Sequence, residues 1–283
     1  MTAAEETFDT LVAGYLTTVT DDGKTLLAYS LNLHRSWRGF FGRLGLQDGL
    51  KILDIGTGFG LLALDLARQY DVHVVASDIN PDYIRHAESL LSHCNSMGLL
   101  SKGSSVRFEV ADIASLPNGD QEFDLVCVRE VFSYVEDPER AIAEIRRVLR
   151  PGGAVIIEDI DDHLYLTYPP ASAAMRTLHE AVDSLQSKTG DRTVGRKLAT
   201  YLDQGGFTIQ WVDVPLEALY QTSAATEGER SFVIAQFARV RDRLVEEEVI
   251  DSGTFDRSLA ELTEEPVHSE FRINGRVAVF ATR

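Results

Sequence analysis

The densest chemistry in this chain lies in the run Leu53-Asp54-Ile55-Gly56-Thr57-Gly58-Phe59-Gly60. Glycines at 56, 58 and 60 let a ligand lie against bare backbone where a strand gives way to a helix. A dinucleotide fingerprint would place its third glycine at position 61, which is leucine here. Asp54, just ahead of the glycines, would repel a pyrophosphate but can accept from an ammonium. The loop therefore favours a ligand with an amino-acid head over one with a diphosphate. Asp78, at the end of the next apolar run, can accept both hydroxyls of a ribose, and Ile79 beside it can pack on a purine face. Asp112, in Ala111-Asp112-Ile113, can receive an adenine amino group. Each of these two acids has a structural alternative, Asp78 as cap of the helix that Pro81 opens and Asp112 as cap of a turn.

These residues need elements to position them. Apolar runs at 51–55, 72–78, 106–110, 123–128 and 154–158 read as strands, with helices at 61–69, from Pro81 through Leu91, and at 138–149. Near-continuous apolar strands separated by helices predict an α/β fold with a parallel sheet covered on both faces. Residues 1–48 read as two or three short helices, an N-terminal helical cap. Residues 49–160 form the ligand-binding core. Residues 161–283 add helical material at 159–200 and 224–264 on the substrate side, and strands at 207–214 and 276–282 that complete the sheet.

Composition narrows the partners. The 283 residues carry 27 Lys+Arg against 44 Asp+Glu, a formal charge of −17. Such a surface repels phosphate backbones and anionic lipid, so neither nucleic acid nor a membrane is an expected partner. The cluster Arg140, Arg146, Arg147 and Arg150 is interleaved with Glu139 and Glu144 and reads as a solvated helix face. Two cysteines, Cys94 and Cys127, make no disulfide framework. No secretory signal and no uninterrupted apolar run of membrane-spanning length is visible, which predicts a soluble, cytoplasmic protein. A homo-oligomer is possible, because the helical preface can either cap its own pocket or exchange with a neighbouring chain.

Taken in order, the loop from Asp54 to Gly60, Asp78-Ile79, Asp112-Ile113, the strand Phe123 to Val128 with Asp137-Pro138 after it, and Leu149-Arg150-Pro151-Gly152-Gly153 resemble class I S-adenosylmethionine-dependent methyltransferases. The resemblance covers residues 48–160 and is closest to bacterial members acting on small molecules, some of them in natural-product tailoring. It implies a Rossmann-like, seven-stranded, mostly parallel sheet of order 3-2-1-4-5-7-6, with the last strand antiparallel. It implies S-adenosyl-L-methionine as cofactor, held by Asp54, Gly56, Thr57, Gly58, Asp78, Ile79, Asp112 and Ile113. The family's contact after strand four points to Arg129, which could instead pair with an acid.

Methyl transfer from a sulfonium needs positioning above all, worth on the order of 7–11 kcal/mol of barrier. A general base helps where the nucleophile is protonated. His163, Glu130 and Tyr134 are the candidates by position after strands four and five, His163 first because its ordinary pKa lies near neutral. Tyr29, Tyr165 and Tyr168 are candidate substrate contacts. The turn Arg129-Glu130-Val131-Phe132 stands where adenine-N6 and glutamine-N5 enzymes carry an N-P-P-Y-like motif, which argues against nucleic-acid substrates. The acidic run Glu158-Asp159-Asp161-Asp162 reads as solvated or capping, so no metal is expected. The readings from other classes are an S-adenosylmethionine-binding protein or cyclase without methyl transfer, a protein methyltransferase, and an NAD-linked oxidoreductase.

Overall fold

In this computed structural model residues 3–15, 27, 30, 31, 34 and 37–283 are described. The elements run α1 (Ala3–Tyr15), β1 (Lys51–Ile55), α2 (Leu61–Gln69), β2 (His73–Asp78), α3 (Pro81–Ser96), β3 (Ser105–Val110), β4 (Phe123–Arg129), α4 (Pro138–Val148), β5 (Leu149–Tyr168), α5 (Ala173–Gln186), α6 (Leu198–Gln204), β6 (Thr208–Asp213), β7 (Leu216–Gln221), α7 (Ser223–Glu246), α8 (Ser252–Glu264) and β8 (Glu270–Thr282). The strands form one sheet of order β3-β2-β1-β4-β5-β8-β6, with β7 pairing β8 off that path. β1 to β5 are mutually parallel, and β8 runs antiparallel to β5, β6 and β7. The chain leaves β1 toward β2 and β3, then returns to β1's other side with β4. That reversal opens a crevice at the C-terminal ends of β1 and β4, the place where open α/β sheets bind ligands.

Alternation along the central strands feeds two cores. Leu53, Ile55, Val126, Val128, Val155 and Ile157 bury one face under Ile142 and Ile145 of α4 and Leu198 and Leu202 of α6. Ile52, Leu125, Cys127 and Ile156 bury the other under Leu62 and Leu66 of α2 and under Trp37, Phe40 and Phe41. A third core joins Leu178 and Leu185 of α5, Phe237 and Leu244 of α7 and Phe255 and Leu262 of α8 into a helical bundle. Side-chain caps fix where helices begin: Asn80 accepts from Asp82 N–H and Asp137 from Arg140 N–H, each ahead of a proline in the first turn.

The sheet has one strand more than the sequence pattern suggests, and two strands are longer. β5 does not stop at Glu158 but continues to Tyr168, and β8 begins at Glu270 rather than Arg276. Between the pairs Ile160↔Arg276 and Tyr165↔Asn274 the register shifts, so the acidic stretch 161–164 bulges and pairing resumes beyond it. With β7 along β8's other side, the outer halves of these strands make a three-stranded arm. The basic residues of α4 are also not simply solvated. Arg147 donates to the carbonyls of Leu116 and Asn118, Arg146 to that of Gly206 and Arg140 to that of Ala114, tying α4 to neighbouring loops. Cys94 and Cys127 are free and buried.

Candidate functional site

Backbone constraints shape the loop after β1. At Gly56 the φ angle is +70°, and an added Cβ would lie 2.1 Å from Val131 Cγ2. Only glycine fits there. Gly58 also has a positive φ, +55°, but nothing lies within 4 Å of where its Cβ would be. Its backbone is bare to the crevice. Thr57 N–H donates to Ser77 O at 2.9 Å and Thr57 Oγ1 donates to Asp54 Oδ2 at 2.6 Å. Asp54 is buried, and burial lifts its carboxyl to about 6 against the pull of the Thr57 hydroxyl and the Arg129 charge.

Asp78, at the end of β2, accepts from Gly58 N–H through Oδ2 and from Asn80 N–H through Oδ1, both at 2.9 Å. The helix cap proper is Asn80, so capping α3 is not what Asp78 does. Ile79 beside it is 70% exposed, an apolar side chain left open next to a buried acid. Ala111 N–H donates to Asp78 O, which sets the end of β3 beside that of β2. Asp112 is exposed and closes a turn by accepting from Ala114 N–H, while the Ile113 side chain is buried in the first core.

Arg129 ends β4 opposite Glu158 of β5. Its guanidinium lies 5.6 Å from the Trp37 ring centroid, and its Nη1 is buried without a hydrogen-bond partner. Such an orphaned cationic donor beside a buried carboxylate is costly unless something pairs with it. Glu158 accepts from Trp37 Nε1, and burial raises its carboxyl to about 7 even with Arg129 and Arg276 near. The acidic run is thus mostly inside rather than solvated. Glu158, Asp159 and Asp161 are buried, Asp159 accepting from Ser133 N–H and Asp161 from Arg196, while Asp162 pairs Arg192. Among the described residues no cluster of metal-ligating side chains forms. The run's partners come from distant sequence, so residue order alone does not pair Trp37 with Glu158.

A cavity of about 900 Å³ opens between the arm and α5, α7 and α8. Tyr165, Pro169 and Pro170 line it with Ile160, Arg276 and His179. Arg276 on its lining donates through Nε to Glu130 Oε1 at 2.6 Å, which ties the cavity wall to the residue that follows β4. Glu130 follows β4 with a φ of +53°, a conformation a non-glycine residue rarely holds. Of the other candidates, Tyr134 is exposed on the short turn Phe132–Tyr134, Tyr168 is exposed on the arm's opposite face, and His163 is exposed and not among the cavity-lining residues. Tyr29 lies outside the described residues.

The ligand groups expected from sequence fit these residues. Buried Asp54 and the unpartnered Arg129 nitrogen offer opposite charges for an ammonium and a carboxylate, Gly58 leaves bare backbone, and Ile79 leaves an exposed apolar surface beside Asp78.

Comparison with known proteins agrees with the fold. Residues 53–157 match the family model described as a methyltransferase domain. The ubiquinone/menaquinone biosynthesis C-methyltransferase of Bordetella avium is 35% identical over 131 residues, covering 45% of this chain and 48% of that protein. Ajmaline N-methyltransferase of Rauvolfia serpentina is 30% identical over 131 residues, covering 46% and 42%. The chain thus spans about half the length of these curated relatives. In fold it is similar to an S-adenosylmethionine-dependent methyltransferase of Methanosarcina mazei, with a TM-score of 0.53 and 19% identity over 86% of this chain and 96% of that one. The cyclase SpnF gives a TM-score of 0.51 at 21% identity, covering 88% and 80%. Residues 53–157 thus match a methyltransferase domain, and the fold around them is that of solved S-adenosylmethionine-dependent methyltransferases.

Proposed function

We propose that the protein transfers a methyl group from S-adenosyl-L-methionine to a small-molecule acceptor held in the cavity between the arm and the helical bundle. The observation that carries this reading is a space of small-molecule size lined by Ile160 of β5 and by Arg276, which donates to Glu130 just beyond β4. When bound, S-adenosylmethionine supplies a methyl made electrophilic by its sulfonium.

The chain's own residues bind and orient. Asp54 accepts from the ammonium of the amino-acid head and Arg129 donates to its carboxylate. Thr57 keeps Asp54 in place, and Gly56 and Gly58 keep the loop flat against the ligand. Asp78 accepts from the ribose hydroxyls, Ile79 packs on the purine, and the Asp112–Ile113 segment meets the adenine edge. Pro169, Met175, Val233 and Leu262 give the cavity an apolar wall that excludes water. Glu130, oriented by Arg276, takes the proton of a protonated acceptor. His163 and Tyr134, both exposed, are weaker choices. The −17 charge favours a small acceptor over nucleic acid, and the relatives named as acting on small molecules are consistent with that.

The test is incubation of the pure protein with isotope-labelled S-adenosylmethionine and a panel of amine, phenol and carbon-acid acceptors. Label in an acceptor, with matching S-adenosylhomocysteine, is the expected result. Tight cofactor binding with no label transferred to any acceptor class, while the acceptors themselves rearrange, would replace this reading by that of a cyclase.

A further inference from the structure

The arm has two faces of opposite character. Across its antiparallel strands Leu166 pairs with Ile273, which pairs with Ala218, and Tyr168 pairs with Phe271, which pairs with Tyr220. Opposed residues share a face, so Leu166, Tyr168, Ile273, Phe271 and Tyr220 stand together with Leu216, opposite Gly275 on the same side. The other face carries Tyr165, Thr167, Arg272 and Asn274, which line the cavity. Every charged residue of this part of the arm, Glu217, Glu270 and Arg272, belongs to that second face. The first face holds no charge at all.

That apolar face is open. Tyr168 is 71% exposed, Tyr220 67%, Leu216 60% and Leu166 55%. Sheets ordinarily expose polar residues on the side that meets water, and a contiguous group of large apolar side chains marks a contact surface.

We propose that a second copy of this chain covers it, two arms packing face to face about a two-fold axis. Three features of the molecule select that occupant. A two-fold contact needs one self-complementary patch, and a charge-free apolar face meets its own copy without opposing like charges. The net charge of −17 opposes the approach of two copies elsewhere, so a patch that carries no charge is where they meet with least repulsion, and that charge also disfavours anionic lipid and nucleic acid. The area suffices as well. With aromatic side chains worth about 150–250 Å² each when fully buried, half-exposed and more exposed residues here amount to roughly 500–700 Å² per chain, near the roughly 800 Å² per partner of a standard interface. The dimer would brace the cavity from outside, since the arm's inner face is the cavity wall.

Sedimentation velocity of the full chain from about 1 to about 200 μM, a range that spans the affinities expected of so modest an interface, tests this. The expected result is a mass rising to that of two chains. The double variant Tyr168→Glu/Tyr220→Glu should stay monomeric throughout, its sedimentation coefficient and melting temperature otherwise matching the parent's. Both side chains are exposed, so folding does not depend on them, and the single variant Ala218→Glu on the same face gives a second reading. Met97→Glu, at an exposed apolar residue far from the arm, should leave the dimer intact. A parent chain monomeric at the top of the range overturns the proposal. So does a dimer that survives Tyr168→Glu/Tyr220→Glu and Ala218→Glu, or co-sedimentation of the monomer with phosphatidylcholine vesicles through this face.

Discussion

Trp37 donates its indole N–H to Glu158 Oε1 at 2.7 Å, joining the helical region ahead of β1 to the middle of β5, opposite the last residue of β4. Both residues are almost wholly buried, and Arg129 lies against the same ring. A second tie reaches the same region: Asp65 of α2 accepts from His34, Arg38 and Arg68, and Arg38 also pairs Asp9 of α1. Burial alone would raise the Asp65 carboxyl, but the His34 hydrogen bond and the arginines overcome it and hold it well below the usual range. The described N-terminal residues are therefore pinned to the core by buried polar contacts as well as by apolar packing.

The buried acids make stability fall with pH. Glu158 is raised to about 7, and Asp54 and Asp159 to about 6, burial being the leading cause for each. A carboxyl whose folded pKa lies above its unfolded value binds more protons folded than unfolded. Its stabilising contribution is complete below the unfolded pKa and is lost as pH rises through the folded one. For Glu158 that window runs from about 4.5 to about 7 and is worth at most about 3 kcal/mol. Denaturant unfolding of the ligand-free protein should show stability declining from pH 5 to pH 8, and Glu158→Gln should flatten much of that slope. A slope unchanged by the variant would mean that Glu158 ionises normally.

Two glycines of one loop should respond differently to the same substitution. In Gly56→Ala the new methyl meets Val131 Cγ2 at 2.1 Å and the backbone stays at φ +70°, so the variant should lose several kcal/mol of stability. In Gly58→Ala the methyl enters open space and only the positive φ opposes it, a cost of about 1 kcal/mol. That open space is where the cofactor is proposed to lie. Gly58→Ala should therefore fold with a slightly lower melting temperature yet bind S-adenosylhomocysteine at least tenfold more weakly by calorimetry. Unchanged affinity would place the ligand elsewhere.

The loop was legible because its geometry depends on residue type: three positive-φ glycines with an acid before them leave little else the segment can be. The parallel core was legible for a similar reason, since buried parallel strands are apolar along their whole length. The arm was not. Tyr165 pairs Asn274 and Glu217 pairs the same residue, partners brought together from three separate stretches of chain. Locally the segment around Asp161 and Asp162 reads as a polar break, and Gly275 as the start of a strand, not its middle. The acidic run misled in the same way. Glu158 and Asp161 are inside because Trp37 and Arg196 reach them, and nothing in their own neighbourhood announces those partners.

Asp54 gives cofactor binding a pH dependence of opposite sense to that of stability. Its carboxyl, at about 6 in the free protein, must be ionised to accept from an ammonium. Affinity for S-adenosylhomocysteine should then rise between pH 5 and pH 7 and level off above. Asp54→Asn keeps an acceptor for Thr57 but removes the charge. Charge-assisted hydrogen bonds contribute about 1.5–3 kcal/mol, so affinity at pH 8 should fall roughly 10- to 150-fold, with the pH dependence gone. Calorimetric titration at several pH values measures both. A variant that binds like the parent would separate Asp54 from the amino-acid head.

Glu130 is the residue on which the proposed proton transfer turns. Its carboxylate is held at 2.6 Å by Arg276, itself on the cavity lining, its backbone by an N–H to Glu158 O at 2.8 Å, and its φ is +53°. Glu130→Gln preserves an oxygen for Arg276, so the cavity wall and the arm should keep their places. Proton abstraction by a positioned base contributes about 10²- to 10⁴-fold to rate. With the acceptor found by the labelling screen, Glu130→Gln should lower kcat by that order while leaving cofactor affinity and KM within a few fold. His163→Ala, at an exposed residue off the cavity lining, should leave kcat unchanged. If the two variants exchange behaviour, His163 is the base, and residues 161–164 must reorganise when the acceptor binds.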